Sequence, residues 1–590
     1  MDKKIAAYLL ASLLERIDRD QIGTVSKQER DALGIALTLL SDGDSSIPSP
    51  QPASESKSVA AVAEICPPIS IPSLQTVATE LTTPLTPIHP TVIQPPSLSK
   101  VDLVLDANKR KESADPDVLL CLDFGTAMSK AFAAVFPNDY LDLELGSAAG
   151  RQGYTLPSSV FISNNGKAYF GFEAIEHSQE LLDSGRERMD SIKGWLSLRR
   201  DGNLDGDACV LQPALNPTAF RLTQGDLILM YLAYLTDMAE VALGTYEISG
   251  QKIGRYAKRR FARPCWPDEA QTKWAEKLMR TMLAEAQILA DTFSGQWADG
   301  IEVGRLKSAI DQVKILEQHP DYLIGDGVPE PVAVAASAIA DSENLRDAFM
   351  VVDVGAGTTD FGLFVATRAP NTEKPRVFQV PATIQGLMQA GDKVDGMLRA
   401  LIARKEGIDA SDTSGRIILS ALGLQIRALK EILFKTGKVE YSLRDGTVGT
   451  VTQEEFLLDP MVQRFSRAVE DGFMKSISAV DDSWLQWLAT DRVLLHVVLT
   501  GGSSQLPMMK SLGDGIIQIR GHKIMRVIVD PKPEWMEDMP DELLAVYPQL
   551  AVAIGGAAEE LPETLTAPPV FSGGGARSSY VSSRLQISGT

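Results

Sequence analysis

The chain has 590 residues, 77 of them acidic and 57 basic, giving a formal net charge of -20; 44% are hydrophobic and 23% charged. That length holds more than one domain and a large buried core, in the composition range of ordinary globular proteins. The acidic surplus argues against a broad phosphate-backbone interface, so nucleic acid is not an expected partner, although one local anion site needs only a few donors.

Lys3 and Lys4 precede an apolar run from Ile5 to Leu14, but Glu15, Arg16, Asp18, Arg19 and Asp20 follow at once. No small-residue cleavage site is evident, so a helix rather than a secretory leader is expected. Ile5, Leu9, Leu13 and Ile17 share one face of it. Gly23 breaks the pattern, and Ser26 with Glu29 forms a capping-box signature for a second helix carrying Leu33, Ala36, Leu37 and Leu40. Two such helices cannot bury their apolar faces alone. Residues 1–42 therefore read as a docking or dimerisation module. Residues 43–115, rich in Pro, Ser and Thr, read as a linker.

Residues 116–562 alternate apolar β-rich runs with helical periodicities, which is the α/β pattern. Residues 563–590, with Ser572-Gly573-Gly574-Gly575, read as a flexible tail. No apolar run is long enough to span a bilayer. Cys66, Cys121, Cys209 and Cys265 and the five histidines are too scattered for a zinc or redox motif. A cytoplasmic protein without a membrane partner is the expectation.

Within the α/β region, Val118 to Cys121 is an apolar strand that leads into Asp123-Phe124-Gly125-Thr126-Ala127-Met128-Ser129-Lys130 and a second apolar run, Ala131 to Phe136. About 230 residues on, Met350 to Val352 leads into Asp353-Val354-Gly355-Ala356-Gly357-Thr358-Thr359-Asp360, then Phe361 to Val365. This internal repeat predicts two related lobes facing each other across a cleft. Glycines in each turn let backbone N–H groups cradle an anion, and hydroxyls add donors. The leading aspartates would repel a phosphate unless a cation, most simply hydrated Mg²⁺, sits between. A third strand, Val497 to Thr500, runs into Gly501-Gly502-Ser503-Ser504, giving a nucleoside room to lie against backbone. No P-loop sequence is present, and G-x-G at Gly355 and Gly357 is a weak signal alone.

Together these segments resemble the two phosphate loops and the adenosine loop of the superfamily that includes actin, sugar kinases and heat-shock chaperones. The resemblance is strongest to the nucleotide-binding half of the seventy-kilodalton heat-shock proteins. It extends through Leu156-Pro157-Ser158-Ser159-Val160, Asp190-Ser191-Ile192-Lys193-Gly194-Trp195-Leu196, Arg263 to Asp268, Glu330-Pro331-Val332-Ala333, Gly391-Asp392-Lys393-Val394-Asp395 and Ala551 to Ala558. Residues 1–42 are similar to the homodimerisation domain of the small glutamine-rich tetratricopeptide co-chaperones.

The resemblance implies an actin-like ATPase fold of two duplicated lobes that binds ATP or ADP with Mg²⁺ and hydrolyses ATP. It implies Asp123 and Asp353 as metal residues acting through water, and Lys193, Glu330, Asp353 and Asp360 as the catalytic set. Gly125, Thr126, Ser129, Lys130, Gly355, Gly357, Thr358 and Thr359 would bind phosphate. Lys430, Glu431, Gly501, Gly502 and Ser503 would hold adenosine. The sequence also departs from the pattern. Glu431 stands where the chaperones carry an adenine-stacking arginine, and Gln505 replaces a basic residue of the adenosine loop. About 30 residues look inserted between 285 and 325. Nothing after residue 562 resembles the chaperones' peptide-binding domain. A chaperone-like ATPase switch with a protein partner or client is the favoured expectation; an actin-like filament former and a small-molecule kinase stay open.

Overall fold

Two mixed sheets with the same strand order form the framework of the molecule. The structure, a computed structural model, describes residues 98–569 except 138, 180–185, 200, 201, 267, 340–347, 368–375 and 538. The two helices expected in residues 1–42 lie outside the described residues, as do most of the linker and the tail.

The first sheet is built on β1 (Val118–Asp123), β2 (Met128–Val135), β3 (Asp139–Leu141), β4 (Lys258–Arg263) and β5 (Ile324–Pro329), in the order β5-β4-β1-β2-β3. β2 runs antiparallel to β1 and β3, while β4 is parallel to β1 and β5. The second is built on β6 (Ala348–Val354), β7 (Thr359–Thr367), β8 (Arg376–Gln379), β9 (Leu495–Thr500) and β10 (His522–Val529), in the order β10-β9-β6-β7-β8. Its strand directions repeat those of the first: β7 antiparallel to β6 and β8, β9 parallel to β6 and β10. Even an accessory strand is duplicated. Thr155–Pro157 pairs with the start of β2, and Gln385–Leu387 pairs with the start of β7. β1 and β6 are buried at every position, as central strands covered on both faces must be.

Helices cover the sheets. α1 (Gln224–Leu243) opens with a full capping box between Thr223 and Asp226 and is apolar nearly all round, so it is buried on all sides. α2 (Glu269–Phe293) is capped by Asp268, whose carboxylate accepts from Ala270 and Gln271 N–H. Between the sheets lie α3 (Glu330–Ala338), which continues directly from β5, and the last long helix. In the second half, α4 (Gly391–Lys405) begins with the segment Gly391-Asp392-Lys393-Val394-Asp395. α5 (Thr413–Thr436) ends at Gly437, whose left-handed φ of 80° lets its N–H return to Leu433 O. α6 (Pro460–Ser478) lies beside β7, and α7 (Asp541–Gly556) closes the core. α3 and α7 pack tightly because small residues face each other: a Cβ on Gly555 would sit 1.6 Å from Ala333 O. Cys121, Phe132 and Val328 of the first sheet, Val351, Phe364 and Val498 of the second, and Val332 and Leu550 from these helices form one apolar layer. Arg260 of β4 reaches the C-terminus of α7 and donates to Ala558 O at 2.6 Å, tying the halves at this side.

Two boundaries differ from the sequence reading. Residues 98–115, assigned to the linker, lie along the first half. Ser308 Oγ donates to Ser99 O, Val104 N–H to Thr292 Oγ1, and Gly254 N–H to Asp115 Oδ2; Ala107 is fully buried. Alternating Val101, Leu103 and Leu105, which pack on the core, carry this stretch, and the nearby prolines obscured that signal. At the other end, Glu563–Thr564 adds a short strand to β8 instead of opening the tail. The stretch read as an insertion supplies the end of α2, a strand at Ile301–Glu302 and the helix Val303–Val313. Leu306, Ala309, Ile310 and Val313 of that helix are buried in the core of the first half.

Candidate nucleotide site

Each β-hairpin turns at the same kind of loop, and the two loops meet. Asp123 ends β1 opposite Lys130, and Asp353, one residue before the end of β6, is opposite Asp360; the spacing is seven residues in both. The glycine two residues on is required in the first loop, because a Cβ on Gly125 would lie 1.9 Å from Met128 O. In the second loop Gly355 N–H bonds Thr358 O at 3.0 Å. The tips touch: a Cβ on Gly357 would meet Thr126 Oγ1 at 2.7 Å. Residues 126–128 and 355–358 are half-buried, whereas Asp123, Asp353 and Asp360 behind them are buried.

The paired positions differ in charge. Lys130 Nζ lies 3.0 Å from Asp123 Oδ2, a cross-strand ion pair. Asp353 faces another carboxylate, so its hydrogen bond comes from the neighbouring parallel strand, where Thr500 Oγ1 donates to Oδ1 at 3.0 Å. Burial, Glu330 and Asp123 push the Asp353 carboxyl well above its ordinary value, against the pull of Lys130 and Thr500. Burial and Glu330 also push the Asp360 carboxyl well up, although the Thr358 hydroxyl and Cys265 N–H act the other way. Cys265 N–H donates to Asp360 Oδ1 at 2.6 Å; Asp360 Oδ2 is buried with no donor in bonding geometry.

Lys193 and Glu330 complete the cluster. Glu330 is the first residue of α3, at the end of β5, and Lys193 immediately precedes the helix Gly194–Leu198. Lys193 Nζ lies 2.7 Å from Glu330 Oε1, with both side chains buried. Burial alone would lower the Lys193 ammonium, but Glu330, Asp123 and Asp360 outweigh it and hold it above the usual lysine range. Four carboxylates thus converge with two lysines in a space closed to bulk water. Asp123 and Glu330 are each paired with a lysine, while Asp353 and Asp360 are pushed toward their neutral forms; a cation entering the site would favour ionising those two. Among the described residues no three His, Cys, Asp or Glu side chains are grouped to grip a metal ion directly. A hydrated Mg²⁺, which keeps several waters and leans on substrate oxygens, fits that arrangement better than a caged ion. The glycine-lined loops fit an anion carrying such a cation.

Other expected contacts divide. Thr126 and Thr358 lie in the accessible loop tips. Ser129 and Thr359, each six residues after the leading aspartate, are fully buried, and their hydroxyls brace the loops from behind. Ser129 Oγ bonds Ser158 Oγ (2.9 Å), which donates to Gly125 O (2.7 Å); Thr359 Oγ1 donates to Gln389 O (2.7 Å). The physical reason is the return strand: position six lies in its first two residues, with its side chain inward.

The third loop joins the second hairpin. Gly501, at φ 86°, has no room for a Cβ, which would lie 2.4 Å from Val354 O; Ser503 N–H donates to Val354 O at 3.0 Å. Gly501 N–H also donates to Pro548 O of α7. Gly502 is exposed and Ser503 half-buried, so the loop surface is open. Lys430 is brought to this region: its Nζ lies 2.8 Å from Asp395 Oδ1 and 3.5 Å from Gly391 O. Glu431, next along α5, is exposed and makes none of these contacts.

Several residues of the site were not legible as such. Thr500 was quoted only as part of a strand, Cys265 contributes through its backbone, and Ser158 acts on a loop 33 residues away. Ser191 and Asp392 stand in the sequence only as parts of resembling segments, yet they meet each other and Arg427: Ser191 Oγ donates to Asp392 Oδ2 at 2.6 Å, and Arg427 lies 3.6 Å from Asp392 Oδ1. No protein-family model and no curated protein matches this chain.

Proposed function

We propose that the chain is an ATP-binding switch of the actin-like ATPase superfamily, with a nucleotide-binding domain of the heat-shock-70 kind, that hydrolyses ATP to ADP and phosphate. The observation that carries this reading is the duplicated hairpin: Asp123 and Asp353 occupy matching positions in two sheets of identical order, and both lie within electrostatic reach of the buried Lys193–Glu330 pair.

Positioning and electrostatics supply most of the catalysis in phosphoryl transfer. The backbone N–H groups of the two half-buried loops, with Thr126 and Thr358, line the phosphates, and Lys130 adds positive charge at the first loop. Asp123 and Asp353 would hold Mg²⁺ through water, and the ion would supply charge neutralisation at the phosphate oxygens. Lys193 stays cationic because acidic neighbours surround it, and with Glu330 it orients the attacking water. Asp360, which carries an oxygen with no donor in bonding geometry, accepts the proton that this water loses. Gly501, Gly502 and Ser503 give adenosine a backbone surface, with Lys430 alongside. Nucleotide state then acts on a protein partner or client through the fit of the two halves.

The test is phosphate release from MgATP by the full chain, beside Lys193→Ala. Slow release that the substitution abolishes supports the reading; release unaffected by it, or none from protein that binds MgATP, removes hydrolysis from the account.

A further inference from the structure

The loop ahead of Lys193 is held by a side chain from the other half of the molecule. Ser191 has a φ of 59°, in the left-handed region that non-glycine residues rarely adopt and that persists only where surrounding contacts fix it. Two contacts do so. Gly194 N–H bonds Ser191 O at 2.9 Å, closing the turn that leads into the helix Gly194–Leu198. The Ser191 hydroxyl donates to Asp392 Oδ2 at 2.6 Å, spanning 201 residues of sequence to the first turn of α4.

Asp392 is bound in turn to the second hairpin loop. Its N–H donates to Ala356 O at 2.8 Å, and the N–H of Gly391 donates to Gly355 O at 3.2 Å. Arg427 of α5 lies 3.6 Å from the carboxylate oxygen that Ser191 does not use. A continuous run of bonds therefore links residues 355–356, through Asp392 and Ser191, to the turn that carries Lys193. The hydroxyl-to-carboxylate bond is charge-assisted, the stronger class of hydrogen bond. One partner lies in a turn of the first half and the other in the first turn of α4 in the second, so the bond forms only when the halves are together.

We propose that Ser191 and Asp392 form a latch that registers Lys193 against the second hairpin loop, with Ser191 as a positioning residue. Its consequence for hydrolysis rests on the ATPase reading above; its consequence for how the halves hold together does not.

Ser191→Gly separates the latch from folding, because glycine takes a positive φ without cost while the hydroxyl is lost. Ser191→Asn keeps a donor on a residue that tolerates this backbone. Hydrogen exchange on the nucleotide-free full chain should be about tenfold faster in Ser191→Gly over both 190–196 and 355–358, the effect of a bond worth one decade in equilibrium. Phosphate release should show kcat down about tenfold with KM changed less than about twofold, the signature of lost positioning. The melting temperature should not fall, and Ser191→Asn should recover most of both readouts. Unchanged exchange in Ser191→Gly, or faster exchange in only one of the two segments, overturns the latch. Absence of phosphate release by the wild-type chain refutes the ATPase reading, while the exchange result still decides the latch.

Discussion

The ammonium of Lys193 and the carboxylate of Glu330 lie 2.7 Å apart, each side chain only 8% exposed, within electrostatic reach of the aspartates behind both hairpin loops. The pair joins a loop before a short helix to the first residue of α3, 137 residues apart in sequence. A buried ion pair is rarely favoured for stability alone, since both ions lose their hydration. Its position beside Asp123, Asp353 and Asp360 gives it a chemical setting.

Removing only one member of the pair strands the other. Lys193→Ala should destabilise the nucleotide-free protein by about 3–5 kcal/mol, read by chemical denaturation. Lys193→Met combined with Glu330→Leu should recover much of that loss without restoring hydrolysis. Stability and activity then separate; a double variant as unstable as the single one contradicts this.

Gly357 and Gly501 test the loops in contrasting ways. A methyl at Gly501 meets backbone, Val354 O at 2.4 Å, and the residue has a left-handed φ, so Gly501→Ala should cost about 2 kcal/mol or more of stability. A methyl at Gly357 meets the rotatable side chain of Thr126 at 2.7 Å. Gly357→Ala should leave the melting temperature within a few degrees while weakening nucleotide binding, because it wedges the loop tips apart. Equal thermal effects of the two substitutions would rule out this description.

A second buried charge cluster sets a pH dependence away from the site. Asp291 of α2 lies 3.0 Å from Arg255, which also pairs with Asp237 and Glu240. Burial and Glu240 push the Asp291 carboxyl up to about 6, despite Arg255. The folded protein therefore keeps a proton that the unfolded chain, near the ordinary 3.8, releases. This contribution to stability is present below that value and is lost as pH rises through about 6. Asp291→Asn should change stability little at pH 5 and raise it by roughly 1–2 kcal/mol at pH 8. Urea titrations at the two pH values check it; a loss at pH 8 would mean that the Arg255 contact dominates.

The sequence was most informative where local pattern and topology coincide. The Asp-x-Gly repeat at 123 and 353 marked both hairpins, because a strand ending in an acid and a glycine turn is written in consecutive residues. The caps Asp268, ahead of α2, and Gly437, after α5, are equally local signals that the sequence reading left unused. Side-chain direction was less legible: Ser129 and Thr359 read as phosphate donors, yet the return strands carry both side chains inward. Lys430 and Glu431 are adjacent in sequence, but the helix sends only Lys430 to Asp395. Contacts made by tertiary closure left no linear trace at all, among them Cys265 N–H on Asp360 and Ser191 on Asp392.

Calorimetry of ATP and ADP binding to the full chain, with and without Mg²⁺, tests the central claim most directly, alongside Asp123→Ala and Asp353→Ala. The account predicts Mg²⁺-dependent binding that each substitution weakens by about tenfold or more, or about 1.4 kcal/mol. Absence of nucleotide binding by the well-folded wild-type chain would contradict it.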